Sequence, residues 1–108
     1  MKNKREMSKP TNVGMLVKYS DASIVSKTLV EKKGGSVTAF AFAAGQALSE
    51  HSAPFDAMVQ VVDGEGLFTI GGNVYNVKAG ELLVMPANIP HSVKAEKRFK
   101  MLLTMIRN

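Results

Sequence analysis

Short apolar runs rich in β-branched residues, each stopped by a glycine-bearing turn, recur along this chain and leave no stretch long enough for a substantial helix. Ser36-Val-Thr-Ala-Phe-Ala-Phe-Ala43 sets Val37, Ala39, Ala41 and Ala43 on one side and Thr38, Phe40 and Phe42 on the other, the period-2 alternation of a strand. Ile24-Val-Ser-Lys-Thr-Leu-Val30 reads as its hairpin partner across Glu31-Lys-Lys-Gly-Gly35. Ala57-Met-Val-Gln-Val-Val62 stops at Asp63-Gly64, Leu67-Phe-Thr-Ile70 at Gly71-Gly72, and Val74-Tyr-Asn-Val77 before Ala79-Gly80. Each break holds a residue that tolerates positive φ, so each predicts a turn. Leu82-Leu-Val-Met85 and Met101-Leu-Leu-Thr-Met-Ile106 are continuous apolar runs, expected where a strand is covered on both faces. About eight to nine strands at such even spacing predict an all-β, antiparallel sandwich or small barrel, best matched by a jelly roll. The only helical candidate, Ser20-Asp-Ala-Ser23, is too short to be more than a turn.

At 108 residues, with 45% of them hydrophobic, the chain has the size and apolar content of one packed domain. We expect a flexible basic tail over residues 1–12 and a single domain over 13–108. Without cysteine there is no disulfide and no thiolate ligand, so any metal would be held by nitrogen and oxygen. That fits a reducing compartment, and a cytoplasmic location is expected. The longest apolar runs fall far below the roughly 20 residues of a membrane-spanning helix. No apolar stretch follows the basic start Met1-Lys-Asn-Lys-Arg5, so no secretion signal is read there.

The net charge of +5 could point to nucleic acid, but four of the basic residues (Lys2, Lys4, Arg5 and Lys9) lie in the first ten positions beside a single Glu6. The rest of the chain carries ten basic and eight acidic residues. Lys94, Lys97, Arg98 and Lys100 do cluster around Phe99, but a short charge run beside a hairpin is ordinarily a solvated turn that discourages edge pairing. Neither a nucleic-acid nor a membrane partner is expected.

The chain's two histidines, His51 and His91, each end a segment punctuated by glycine or proline, Gly45-Gln-Ala-Leu-Ser-Glu-His51 and Gly80-Glu-Leu-Leu-Val-Met-Pro86-Ala-Asn-Ile-Pro90-His91. Both fall beside turn residues at strand ends, where functional groups are usually displayed, so they are expected to share one site. No Ser-His-Asp or Cys-His arrangement, phosphate loop or dinucleotide motif accompanies them.

These segments resemble the two motifs of the cupins, G-x5-H-x-H-x3-E-x6-G and G-x5-P-x-G-x2-H-x3-N, and the resemblance covers roughly residues 36–106. The first runs Gly45, His51, Ala53, Ala57 and Gly64; the second runs Gly80, Pro86, Asn88, His91 and Ala95. Spacing is kept throughout, but alanine replaces the second histidine and the glutamate of the first motif. The resemblance implies a double-stranded β-helix, or jelly-roll barrel, with His51 and His91 facing one cavity. In metal-binding cupins three histidines and the glutamate hold one divalent ion, and here only His51 and His91 carry over as ligands. A Zn, Mn, Fe, Ni or Cu ion would therefore be weakly held, because catalytic sites usually keep three protein ligands. Asp56, Glu50, Gln46 and Gln60 are the nearest polar residues that could fill in, Asp56 only with a register shift that turns its side chain to the other face.

Three functions stay open. Ala53 and Ala57 enlarge the pocket and make it more apolar, which favours a small-molecule-binding module whose ligand touches His51, His91, Ala53, Ala57 and Met85. The surviving histidines favour a metal-assisted oxygenase, isomerase or decarboxylase of the kind the resemblance implies. The edge strand Ile24 to Val30 favours a structural role in which two copies form a homodimer. Met58, Met85, Met101 and Met105 either line an adaptable pocket or fill the core.

Overall fold

The computed structural model describes residues 8–107. Eight strands carry the fold: β1 (Ile24–Lys32), β2 (Gly35–Phe42), β3 (Ala47–His51), β4 (Asp56–Ile70), β5 (Asn73–Lys78), β6 (Leu82–Met85), β7 (His91–Lys94) and β8 (Phe99–Ile106), all paired antiparallel. A single 3₁₀ turn, Val13–Met15, precedes them, its Gly14 amide donating to the Asn12 side chain. Of the expected basic tail, residues 1–7 lie outside the described residues, and 8–12 are exposed.

Strand β4 belongs to two sheets. Its first half pairs with β8 and β6, its second half with β5 and β7, so the sheets run β1-β2-β8-β4-β6 and β5-β4-β7-β3. The break expected at Asp63-Gly64 is a bulge inside one continuous strand: the β4–β8 register slips between Val61 and Asp63, and Gly64 sits at φ 71°. A side chain there would collide with the Arg98 carbonyl, so only glycine lets β4 bend between the sheets. At Gly71-Gly72 the expected tight hairpin forms, both residues taking positive φ.

The core lies between the sheets. Phe42, Phe68, Phe99, Met101, Val59 and Val61 are its largest fully buried side chains. Phe42 stacks on Phe99 at 4.7 Å between ring centroids, and Phe68 meets Phe99 edge-on at 5.9 Å. Both faces of β2 are used, as its alternation requires. Phe42 enters the main core, while Ala39 and Ala41 on the other side lie beneath Val17, Leu16 and Tyr19 of the N-terminal segment. Tyr19 donates to Asp63 Oδ2 at 2.6 Å, the Arg98 guanidinium lies 4.5 Å from its ring centroid, and Lys100 Nζ donates to the Gly14 carbonyl. With Lys97 paired to Glu65, three cations of the 94–100 cluster have partners within the chain.

Two strands join the runs read individually from the sequence, and one expectation is corrected. Ala47–His51 and His91–Lys94 are strands although they lack an extended apolar alternation, because β3 and β7 are held by each other and by the second half of β4. Leu82–Met85 is covered on one face only: Leu82 and Val84 are exposed and Met85 is buried.

Candidate functional site

Two loops meet at one end of the barrel. One joins the end of β3 to the start of β4, the other joins β6 to β7, and the Asn88 amide donates to the Ala53 carbonyl at 2.7 Å to tie them. Asp56 reinforces the tie by accepting the Ala87 amide at 2.8 Å, and the Gly71 amide donates to the Pro90 carbonyl at 2.9 Å. Asn88 takes φ 65°, the left-handed conformation that asparagine tolerates, so it can stand where the motif has glycine.

This framework brings His51 and His91 opposite one another as cross-strand partners of β3 and β7. His91 is buried and His51 is exposed at the rim. Their rings meet edge-on at 4.4 Å between centroids, with Nε2 to Nε2 at 3.1 Å. Each ring also turns its other nitrogen back on the carbonyl two residues earlier, His51 Nδ1 to Ser49 at 2.8 Å and His91 Nδ1 to Ile89 at 3.2 Å. A carbonyl only accepts, so both Nδ1 atoms carry the hydrogen and both Nε2 lone pairs face each other. Two lone pairs at that distance call for a cation between them, either a proton or a metal ion.

The spacing suits a metal as well as a proton. With nitrogen–metal bonds of about 2.05 Å, a 3.1 Å separation subtends about 100° at the ion, between octahedral and tetrahedral angles. The two rings therefore fit as two neighbouring ligands. Among the described residues no group of three or more His, Cys, Asp or Glu side chains is placed to hold an ion. Asp56 is engaged with the loop amide and lies outward beside inward Ala57; Glu50 and Gln60 are exposed. Any ion at the pair would complete its shell with water or ligand.

The remaining expected site residues form a second pair. Ala57 faces Met85 directly across β4 and β6, and Met105 across β4 and β8. Ala57 and Met85 are buried in the main core cluster, with Met105 packed against it. Ala53, half-buried, contributes its carbonyl to the loop tie. Surface grooves of about 420 Å³ and about 320 Å³ lie elsewhere, the first between Val30, Val37, Met105 and Ile106, the second between Val13, Gln60, Leu82 and Leu102. Sequence spacing alone did not disclose the Ser49 and Ile89 carbonyls or the Asp56 loop tie, since backbone partners leave no residue-type signature.

Residues 39–106 match the cupin domain family. The chain belongs to the cupins. A conserved Streptococcus pyogenes protein of unknown function is 35% identical to this cupin, covering 94% of this chain and 89% of that one with a TM-score of 0.89. A cupin 2 conserved barrel domain protein from Leptotrichia buccalis is 46% identical over 90% of this chain with a TM-score of 0.87, and the match spans 47% of that longer chain. A cupin superfamily protein from Desulfitobacterium hafniense shares the fold at 23% identity, a TM-score of 0.88 and more than nine-tenths of both chains. No curated protein matches significantly. Among the described residues no helix is long and apolar enough to cross a membrane.

Proposed function

We propose that this cupin binds a small molecule at the looped end of its barrel, where the His51–His91 pair meets an acidic or hydrogen-bonding group and Ala53, Ala57 and Met85 border an apolar body. The observation that carries this is the pair itself: two imidazoles with both Nδ1 atoms tied to backbone and both Nε2 atoms turned to one point. A cation held there is a fixed partner for an anionic ligand group, and the buried side of the pair keeps water from screening it. We read the location as cytoplasmic, in keeping with the absence of cysteine.

A panel of small organic acids screened by thermal shift tests the proposal. We expect at least one acid to raise the midpoint of the wild type and to lose that effect in His91→Ala. Equal shifts in both proteins would remove the pair from the site.

The Nε2 spacing also favours a metal-assisted role, in which His51 and His91 hold one divalent ion with open positions. Such an ion would supply Lewis acidity to a bound oxygen. The chain's own contribution is to orient both rings through Ser49 and Ile89. Elemental analysis of untagged protein, with thermal shifts against Zn, Mn, Fe, Ni and Cu, separates the two roles. A metal effect that vanishes in both His51→Ala and His91→Ala supports the second; none with any ion leaves the acid-binding site alone.

A further inference from the structure

Among the described residues, Ser36 Oγ is the one buried side-chain nitrogen or oxygen atom without a hydrogen-bond partner. Ser36 is 6% exposed. It shares its face of β2 with Phe40 and Phe42, which belong to the main core, and not with Ala39 and Ala41, which lie beneath the N-terminal segment. Its side chain therefore stands on the inward side of the sheet. Cross-strand register continues from it through Met105 and Ala57 to Met85, on β8, β4 and β6 in turn. Ser36 is the last buried member of that row, because Glu31 beyond it on β1 is exposed. Two strand spacings, about 10 Å, separate it from Ala57. A buried hydroxyl without a partner destabilises a fold, so a donor left in that state calls for an acceptor from outside the chain.

A second donor with little to bond stands nearer the rim. Arg107 follows β8 by one residue, and its amide donates to the Gly34 carbonyl at 2.8 Å, which carries the β2–β8 ladder on to it. Two residues past Met105, it falls on the same side of the strand line as that methionine. Its guanidinium carbon lies 5.7 Å from the centre of the Phe55 ring, in the loop that joins His51 to β4. Arg107 is thus at the histidine end of the barrel. Among the described residues, the only acceptor hydrogen-bonded to its side chain is the Lys32 carbonyl, at 3.0 Å from Nη1. Glu31 Oε2 is 4.0 Å from Nη2, beyond hydrogen-bond reach, and the Glu31 side chain is 68% exposed, so that ion pair is weak. A guanidinium carries five N–H groups, and the other four are left without an acceptor.

We propose that the small molecule bound at the histidine pair carries a second acidic group, received by Ser36 and Arg107. Resting on the acid binding proposed for the pair, this makes the ligand a diacid with an apolar middle. One carboxylate meets the pair, and the chain between the acidic groups follows the row through Met85, Ala57 and Met105. The far carboxylate accepts from the Arg107 guanidinium and the Ser36 hydroxyl. Both groups at that end are donors, so the matching ligand group is one that only accepts. A neutral hydroxyl or amide there would leave the guanidinium charge unanswered, whereas a carboxylate meets the charge and fits the planar fork of N–H groups.

The test is a thermal-shift series on the full chain at pH 7, using straight-chain α,ω-dicarboxylic acids of four to eight carbons, each beside the monocarboxylic acid of equal length. At least one diacid should raise the wild-type midpoint more than its monoacid does. In Ser36→Ala and in Arg107→Gln that extra shift should be lost, so that diacid and monoacid coincide within each variant. His91→Ala should lose both shifts. Without any acid, Ser36→Ala should melt no lower than the wild type, because it removes an unpaired hydroxyl. That variant carries the test if loss of the Lys32 tie weakens the fold of Arg107→Gln. Equal wild-type shifts from diacids and monoacids would overturn the second acidic group and leave acid binding at the histidines standing. So would an extra shift that persists in Ser36→Ala. No shift with any acid would overturn both. A Ser36→Ala protein that melts lower without acid would mean that the hydroxyl is already bonded within the chain, and would remove it from the site.

Discussion

At position 57 a buried alanine stands where the cupin motif has its glutamate. Ala57 is buried between Met85 and Met105 on neighbouring strands, so a glutamate there would carry a carboxylate into the main apolar cluster. An unpartnered buried charge costs about 3 kcal/mol or more, and we expect Ala57→Glu to unfold at a correspondingly lower temperature. If the histidines hold a metal, the new carboxylate becomes a third ligand, and added Zn, Mn or Ni should restore most of the loss. A midpoint that stays low with every ion would show that position 57 does not reach the pair. His51 and His91 were legible from their spacing because ligand positions are set by residue type. Their orientation was not, since it depends on the backbone carbonyls of Ser49 and Ile89, which any residue could supply.

The N-terminal segment shows how an element without regular structure can be fixed by a few side chains. Tyr19 links it to β4 through Asp63 and to the β7–β8 region through Arg98, over the bed made by Ala39 and Ala41. Burial of the phenol, then its hydrogen bond to the Asp63 carboxylate and the charge of that group, hold the Tyr19 pKa well above the ordinary tyrosine value, with Arg98 working the other way. Because the folded pKa is raised, the unfolded chain gives up its proton first, so this contribution is whole below about pH 10 and declines as pH rises beyond it. Tyr19→Phe should cost about 1 kcal/mol at neutral pH, and the gap between the two proteins in urea melts should narrow from pH 8 to pH 10.5. A gap independent of pH would mean the hydroxyl is not held by Asp63. Strands β1, β2, β5 and β8 were readable because apolar alternation and glycine turns are local properties. Strands β3 and β7 were not: Ala47–His51 and His91–Lys94 become strands through their neighbours, and the bulge at Gly64 looks in sequence like any turn.

Sharing β4 between the sheets has a consequence for the whole molecule. Four strands, β5, β6, β7 and β8, pair with it, and its residues Val59, Val61 and Phe68 are core to both sheets. Neither sheet can lose β4 without exposing part of the Phe42–Phe99–Phe68 ring cluster, so the two should unfold together. The chain's two tyrosines test this, because it has no tryptophan: Tyr19 packs against the outer face of the larger sheet, and Tyr75 lies on β5 of the smaller one. Urea unfolding followed by fluorescence in Tyr75→Phe reports the first, and in Tyr19→Phe the second. After each curve is compared with circular dichroism of the same variant, we expect coincident midpoints within each protein and equal slopes across probes. An earlier transition at Tyr75 than in the backbone signal would show the smaller sheet opening by itself. That sheet carries both histidines on β3 and β7, so its independent opening would expose the pair and make ligand binding at the barrel end a folding event of that half alone.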